Sequence, residues 1–230
     1  MKHKKKKSSQ RAYKLITITN SKSPISEAYR TLRTNIQFAS FDKSIKTIMV
    51  TSTGPEEGKS TTISNYAIVL AQNEKKVLLL DADLRKPTLH TFFLLANRVG
   101  LTNILAGTKD YSTTIQNTSV ANLDVITSGP IPPNPAELLG SKKMEALIQE
   151  LSRMYDYILF DAPPVIAVTD AQILSQYIDG VLLVVSSGKT NKELAARAKS
   201  LLENVKANVI GVVLNNKEIT GNSYYYYYYG

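Results

Sequence analysis

Apolar residues along this chain gather into short continuous runs separated by stretches with helical spacing. The runs are Ile48–Val50, Val77–Leu80, Leu123–Ile126, Tyr157–Phe160, Val181–Val185 and Val209–Leu214. Their continuous rather than alternating character suits strands covered on both faces, as in parallel sheets. Helical patterns intervene around residues 141–155, 169–178 and 190–206. Ahead of the first run, Ser23-Pro24 supplies a capping hydroxyl and then a residue preorganised for the first helical position. Ile25, Ala28, Tyr29, Leu32, Ile36 and Ala39 follow on one helical stripe. Strand alternating with helix predicts an α/β fold with a doubly wound, mainly parallel sheet, helices on both faces, and ligands at the C-terminal ends of the strands.

The first run leads into Thr51–Thr62, T-S-T-G-P-E-E-G-K-S-T-T, and a helix-compatible run (Ile63, Tyr66, Ala67, Leu70) leaves it. A strand turning sharply into a helix aims backbone N–H groups and the positive end of the helix dipole at one spot. Gly58 allows close approach of the main chain, Lys59 adds a mobile cation and Ser60 offers a hydroxyl to a metal. The combination suits nucleotide phosphates with Mg²⁺ and makes the expected fold P-loop NTPase-type. The general pattern G-x-x-x-x-G-K-[ST] asks for glycine where this chain has Thr53, and Glu56 brings a negative charge into the loop.

Two further runs end in carboxylates at the same predicted sheet edge. Asp81-Ala82-Asp83-Leu84-Arg85-Lys86-Pro87 follows the second, and Asp161-Ala162-Pro163-Pro164 a later one. Three carboxylates converging on one rim repel each other unless a cation lies among them. Mg²⁺, a hard ion that keeps waters and uses phosphate oxygens, fits. Gly129–Pro135, with four prolines, leaves another strand at this edge as a stiff loop that either walls the site or links elements. Asn215 and Asn216 end the last run, where an amide could contact a base or simply form a turn.

Composition narrows the chemistry. There is no cysteine, so disulfides, a cysteine nucleophile and iron–sulfur ligation are excluded. With His3 and His90 alone, a histidine-based zinc or iron site is excluded in practice. No apolar run approaches the roughly 20 residues that cross a bilayer, and no hydrophobic segment of a signal peptide follows the basic start. Six of the nine net positive charges come from Lys2, Lys4, Lys5, Lys6, Lys7 and Arg11. The body is therefore not a strongly basic nucleic-acid binder. The arm reads as a disordered solubilising tail, or one that meets anionic lipid. The expected organisation is a basic, largely disordered arm over residues 1–20, one nucleotide-binding domain over 21–218, and a flexible tail over 219–230.

That tail holds Tyr224, Tyr225, Tyr226, Tyr227, Tyr228 and Tyr229 in succession. Neither helix nor strand periodicity places all six in a core, and flanking glycines argue for exposure. The cluster reads as a sticky terminus, as a strand added to a neighbour's sheet edge, or as a set of hydroxyl acceptors for phosphoryl groups, the concentration of 6 of the 13 tyrosines here speaking against chance. Glu27, Arg30 and Arg33, three residues apart, read from spacing alone as a solvated helix flank with local ion pairs.

With these features assembled, the chain resembles the bacterial tyrosine kinases (BY-kinases), specifically the separate cytoplasmic kinase subunit of Gram-positive capsular or exopolysaccharide systems. The resemblance rests on S-E-A-Y-R-T-L-R-T-N (26–35), P-E-E-G-K-S-T (55–61), L-L-L-D-A-D-L-R-K-P (78–87), G-P-I-P-P-N-P-A-E-L-L (129–139), I-L-F-D-A-P-P (158–164) and the tyrosine tail. Glu56 stands where that family usually has glycine.

The resemblance implies ATP- and Mg²⁺-dependent autophosphorylation of the tail. Gly54, Glu57, Gly58, Lys59, Ser60, Thr61 and Asn215 would serve the nucleotide; Ser60, Asp83 and Asp161 the metal; Asp81, Asp83 and Lys59 catalysis. It further implies a homo-oligomeric ring contacted through Glu27, Arg30 and Arg33. The implied partners are a transmembrane adaptor of the polysaccharide chain-length type at the inner face of the membrane, a tyrosine phosphatase and external protein substrates. The rival readings are a partition or septum-positioning ATPase, or a non-catalytic assembly subunit that uses nucleotide.

Overall fold

The computed structural model describes residues 15–39 and 45–218. The basic arm up to residue 14 and the tyrosine cluster at 224–229 lie outside the described residues.

A short helix α1 (Ile16–Thr19) precedes α2 (Pro24–Ala39), then strand β1 (Thr47–Ser52) and helix α3 (Lys59–Gln72). Next come β2 (Val77–Asp81), α4 (Leu89–Phe92), α5 (Leu101–Ala106), β3 (Gln116–Asn117) and β4 (Leu123–Ile126). The chain continues through α6 (Pro135–Leu139), α7 (Lys142–Leu151), β5 (Tyr157–Asp161), α8 (Asp170–Leu174), β6 (Gly180–Ser186), α9 (Lys192–Asn204) and β7 (Val209–Asn215). Helices begin where the sequence supplies caps: Ser23 Oγ accepts from Ser26 N (3.1 Å), Ser141 Oγ from Met144 N (3.3 Å) and Asn191 Oδ1 from Leu194 N (2.8 Å).

The seven strands form one sheet in the order β3-β4-β2-β5-β1-β6-β7, parallel except for the β3–β4 pair. Successive side chains point to opposite faces, so each apolar run feeds two cores. Ile48, Val50, Val77, Leu79 and Leu159 pack with Ile63, Tyr66 and Leu70 of α3 and Ile36 of α2. Met49, Leu78, Leu80, Ile158 and Phe160 pack with α5, α7, α8 and α9 through Leu105, Leu147, Leu174 and Leu202. Each such side chain contributes roughly 1.5–3 kcal/mol by leaving water. Helices on both faces of a mainly parallel sheet match the expected doubly wound architecture.

Three differences from the sequence reading have physical causes. Within residues 15–20, assigned to a disordered arm, the first three are packed: Leu15 is buried, and Thr17 donates to Asn65 Oδ1 of α3 from its N (3.1 Å) and its hydroxyl (2.8 Å). The predicted apolar stripe of α2 is half used, because α3 covers Tyr29, Leu32 and Ile36 while Ile25 and Ala28 stay exposed. The two-residue strand β3 was too short to leave a periodic signal.

Candidate functional site

The order of the strands builds the site. β5 is inserted between β1 and β2, so the loop after β1 and the carboxylates ending β2 and β5 share one edge at neighbouring positions. Asp81 and Asp161 are register partners across the β2–β5 pair, and Val50 is Asp161's partner on β1. Parallel neighbours in register point their side chains to the same face, which brings the two carboxylates together.

The phosphate loop is held from inside. The Glu57 carboxylate, buried, accepts from Thr53 N (2.8 Å), Gly54 N (3.1 Å), the Thr53 hydroxyl and the Thr190 hydroxyl. Glu57, expected to touch nucleotide, thus spends its side chain on the loop's own backbone and on the segment after β6. Asn215 Nδ2 donates to the Glu57 carbonyl at 2.9 Å and presses on Gly58, where a Cβ would lie 2.0 Å from that nitrogen. Gly58 also has φ +94°, a left-handed conformation for which glycine is suited. Glu56 has φ +59° despite carrying a Cβ, at a cost of about 1–2 kcal/mol. Its ion pair with Lys189, at 3.8 Å, is exposed and contributes little.

Lys59 opens α3 and points at the carboxylates. Its Nζ lies 2.9 Å from Asp83 Oδ2, 3.2 Å from Asp161 Oδ1 and 3.3 Å from Ser60 Oγ. Burial alone would lower the ammonium's pKa, but the charges of Asp161 and Asp83 more than offset that and hold it above its ordinary value. Asp81 Oδ2 accepts from Thr88 N and Leu89 N, both at 3.0 Å, at the start of α4. Burial, reinforced by the Asp161 charge, pushes Asp81 up to about 8. Burial also raises Asp161, against the opposing pull of Lys59 and of a hydrogen bond with Ser60. Asp83 Oδ1 accepts from Lys86 N at 3.0 Å, which closes the turn after β2.

Two carboxylate oxygens on this rim, Asp81 Oδ1 and Asp161 Oδ2, are buried without a hydrogen-bond partner. Unpaired buried oxygens of this kind call for a proton or a cation. Among the described residues no three metal-ligating side chains close into a cage. The donor set is hard, one-sided and next to a phosphate loop, which fits Mg²⁺ completed by water and phosphate oxygens.

The expected site residues therefore come together at one edge: Gly54, Gly58, Lys59, Ser60 and Thr61 on the loop and first turn of α3, Asp81, Asp83 and Asp161 opposite, Asn215 behind the loop. The proline loop is tied elsewhere. Gly129 N donates to Asn97 Oδ1 at 2.8 Å, and the Gly100 backbone packs directly on Gly129. On α2, Arg30 pairs with Glu27 (2.7 Å) and donates to the Ser21 carbonyl (2.6 Å), while the charge of Arg33 acts on Tyr66 of α3. A cavity of about 460 Å³ between α2 and β7, lined by Tyr29, Leu32, Thr62, Leu214 and Asn215 among others, adjoins the loop. Sequence reasoning gave no role to Thr190 or Asp170, which the structure brings to the loop and to Arg85; neither lies in a recognisable pattern.

Fold and site together define a nucleotide-binding α/β protein of the P-loop class. A family model described as an AAA domain matches residues 45–210. The chain is 54% identical to the tyrosine-protein kinase YwqD of Bacillus subtilis (strain 168), over 91% of this chain and 88% of that protein. It is 42% identical to the putative tyrosine-protein kinase CapB of Staphylococcus aureus, over 91% and 92%. The crystal structure of the chimerical protein CapA2B2 superposes with a TM-score of 0.86 at 43% identity, covering 89% of this chain and 90% of that one. The chain belongs to the bacterial tyrosine-protein kinase family, and is a protein-tyrosine kinase. A plasmid partition protein from Borrelia burgdorferi, 23% identical with a TM-score of 0.60, shares the fold alone. No helix among the described residues is long and apolar enough to cross a membrane.

Proposed function

We propose that this kinase transfers the γ-phosphoryl group of ATP, with Mg²⁺, to its own Tyr224–Tyr229. The observation that carries the reading is Lys59 Nζ lying between Asp83 and Asp161, beside two buried carboxylate oxygens without partners. In the nucleotide complex Lys59 and the loop amides at the start of α3 would hold the β- and γ-phosphates, and Asn215 would serve the base. Ser60, Asp83 and Asp161 would hold the metal, directly or through water. Mg²⁺ supplies charge neutralisation on the transferring phosphate.

Asp81 takes the phenolic proton as the tyrosine oxygen bonds to the γ-phosphorus and ADP departs. A carboxyl raised to about 8 is matched to proton transfer near neutrality, where a free tyrosine with pKa near 10 is poorly ionised. Phosphoryl transfer otherwise needs positioning and charge stabilisation, which a P-loop site provides.

The chain beyond Asn216 spans on the order of 45 Å when extended, enough to reach its own site or a neighbour's. A homo-oligomeric ring contacted through Glu27, Arg30 and Arg33 favours the neighbour. Incoming tail phosphates, each adding roughly −1.5 to −2 charges, would loosen that ring. A membrane adaptor, an opposing tyrosine phosphatase, external protein substrates and control of capsule or exopolysaccharide synthesis complete the reading, supported by kinship with CapB.

Incubation with labelled ATP and Mg²⁺, followed by mass mapping of the tail, tests the core of this: tyrosine phosphate is expected, and release of free phosphate alone would overturn it. Mixing a Lys59→Met chain with one whose six tail tyrosines are phenylalanine tests direction. Phosphate on the Lys59→Met chain is expected; its absence means transfer within one chain.

A further inference from the structure

Arg85 and Asp170 are 85 positions apart, and neither belongs to the phosphate loop or the carboxylate rim. Arg85 Nε donates to Asp170 Oδ2 at 2.9 Å and Nη2 to Oδ1 at 3.0 Å. Two parallel bonds of this kind fix orientation as well as distance. The Asp170 side chain is fully buried, at the first residue of α8, whereas the Arg85 side chain is 41% exposed. The carboxylate has thus been taken out of water and depends on this one guanidinium among the described residues.

What the pair connects gives it meaning. Arg85 sits inside the turn closed by the Lys86 N to Asp83 Oδ1 bond, so it moves with the carboxylate that reaches Lys59. Asp170 belongs to the segment that leaves Asp161, and that segment is pinned to the phosphate-loop strand. Ala162 N donates to the Val50 carbonyl (3.0 Å), Val165 N to the Ser52 carbonyl (2.9 Å) and the Thr51 hydroxyl to the Pro163 carbonyl (2.7 Å). A continuous path runs from β1 through Asp161 and α8 to Arg85 and back to Asp83.

We propose that the Arg85–Asp170 pair is a positioning clamp that sets the separation of Asp83 from Asp161 and so tunes the affinity for the divalent cation bound with nucleotide. It rests on the reading that Asp83 and Asp161 hold that cation. Lys59 spans the two carboxylates in the structure, yet its ammonium must also serve phosphate. When it turns to phosphate, the clamp adds a side-chain tie to the backbone bond from Ala82 N to the Asp161 carbonyl (2.9 Å) in holding the two loops together.

The test is ADP binding by the full chain, titrated with Mg²⁺ and compared with binding in EDTA. Arg85→Lys keeps the charge and loses the two-pronged fork; Asp170→Asn keeps the shape and loses the charge. Each is expected to raise the Mg²⁺ concentration for half-saturation about tenfold, as loss of an outer partner of a metal ligand does, with ADP affinity in EDTA within about twofold of wild type. Combined with Asp83→Asn, Arg85→Lys should shift the Mg²⁺ titration no further than Asp83→Asn alone, because both act through one carboxylate. An unchanged titration in both single variants overturns the clamp. So does an equal loss of ADP affinity in EDTA, which would make the pair a general brace. If Asp83→Asn itself leaves the titration unmoved, the metal assignment falls and the clamp with it. A wild type that binds Mg²⁺ and ADP as described but places no phosphate on tyrosine overturns the transfer reading and leaves the clamp standing.

Discussion

The two halves of the site are finished to different degrees. On the loop side, Glu57 satisfies two backbone donors and two hydroxyls from within, and Asn215 caps the Glu57 carbonyl. On the carboxylate side, one ammonium serves two acidic groups and two buried oxygens have no partner. The loop is preorganised and should change little on binding. The rim is under electrostatic tension, with its equilibrium weighted toward any arriving cation. Rigidity on one side and unmet charge on the other would let Lys59 turn to phosphate, as proposed, without the loop collapsing.

The sharpest way to break this contrast is Lys59→Met, which removes the cation from the rim and the proposed phosphate ligand at once. Tail phosphorylation should fall by about 10³-fold, in the range seen when one key electrostatic contact is removed, measured as initial rate of phosphotyrosine formation. A loss below tenfold would show that the loop amides suffice.

Asp81→Asn tests the rim without touching its cation. Autophosphorylation should drop by about 10²-fold; undiminished transfer here, with abolition in Asp83→Asn, would move the base to Asp83.

The same variant separates the halves through pH. Asp81 is raised from 3.8 to about 8, so the native state holds its proton more tightly than the unfolded chain. The stability it contributes is fully present below the unfolded value and is lost as pH rises toward about 8, with a slope on the order of 1 kcal/mol per pH unit. Thermal midpoints of the nucleotide-free protein should fall between pH 5 and 8, and Asp81→Asn should flatten that fall. Parallel curves for the two proteins would remove Asp81 as its source.

Glu57→Gln addresses the loop. It keeps the shape and weakens bonds made to a charged acceptor, so denaturant unfolding should show a loss of about 1.5–3 kcal/mol, with Mg²⁺ dependence unaltered. A shifted Mg²⁺ dependence would mean that Glu57 acts on the rim as well. The smallest effect belongs to Glu56→Gly, which relieves a left-handed residue bearing a Cβ. A gain near 1 kcal/mol is expected from chemical unfolding, and a loss would locate the strain elsewhere.

Most of the sheet was legible because its central strands are covered on both faces: β1, β2, β5 and β6 announce themselves as apolar runs, whereas β4 carries Asp124 and the edge strand β7 leaves Val212 and Leu214 exposed instead of buried on both faces. The edge placement of Lys59, Asp81, Asp83 and Asp161 followed from their position at run ends. The packing of Leu15 and Thr17 on α3 was hidden, since two buried positions after a polybasic stretch carry no period. Glu57 was assigned to nucleotide because a carboxylate in a phosphate loop looks the same in sequence whether it turns outward or into the backbone. Its partner Thr190 lies 133 positions away, and pairings at such range have no local signature. The half-exposed stripe of α2 failed for a related reason: periodicity tells which side of a helix is apolar but not how much of that side is covered, and Ile25 and Ala28 line the open cavity between α2 and β7.

The intercalation of β5 between β1 and β2 has a consequence for how this enzyme can drift in evolution. Because strand side chains alternate, a deletion or duplication of a single residue within Tyr157–Asp161 would rotate Asp161 through the sheet to the layer of α7 and α8. It would also expel Phe160 from its own layer. This five-residue stretch is frozen in length, with chemistry and packing vetoing the same indel.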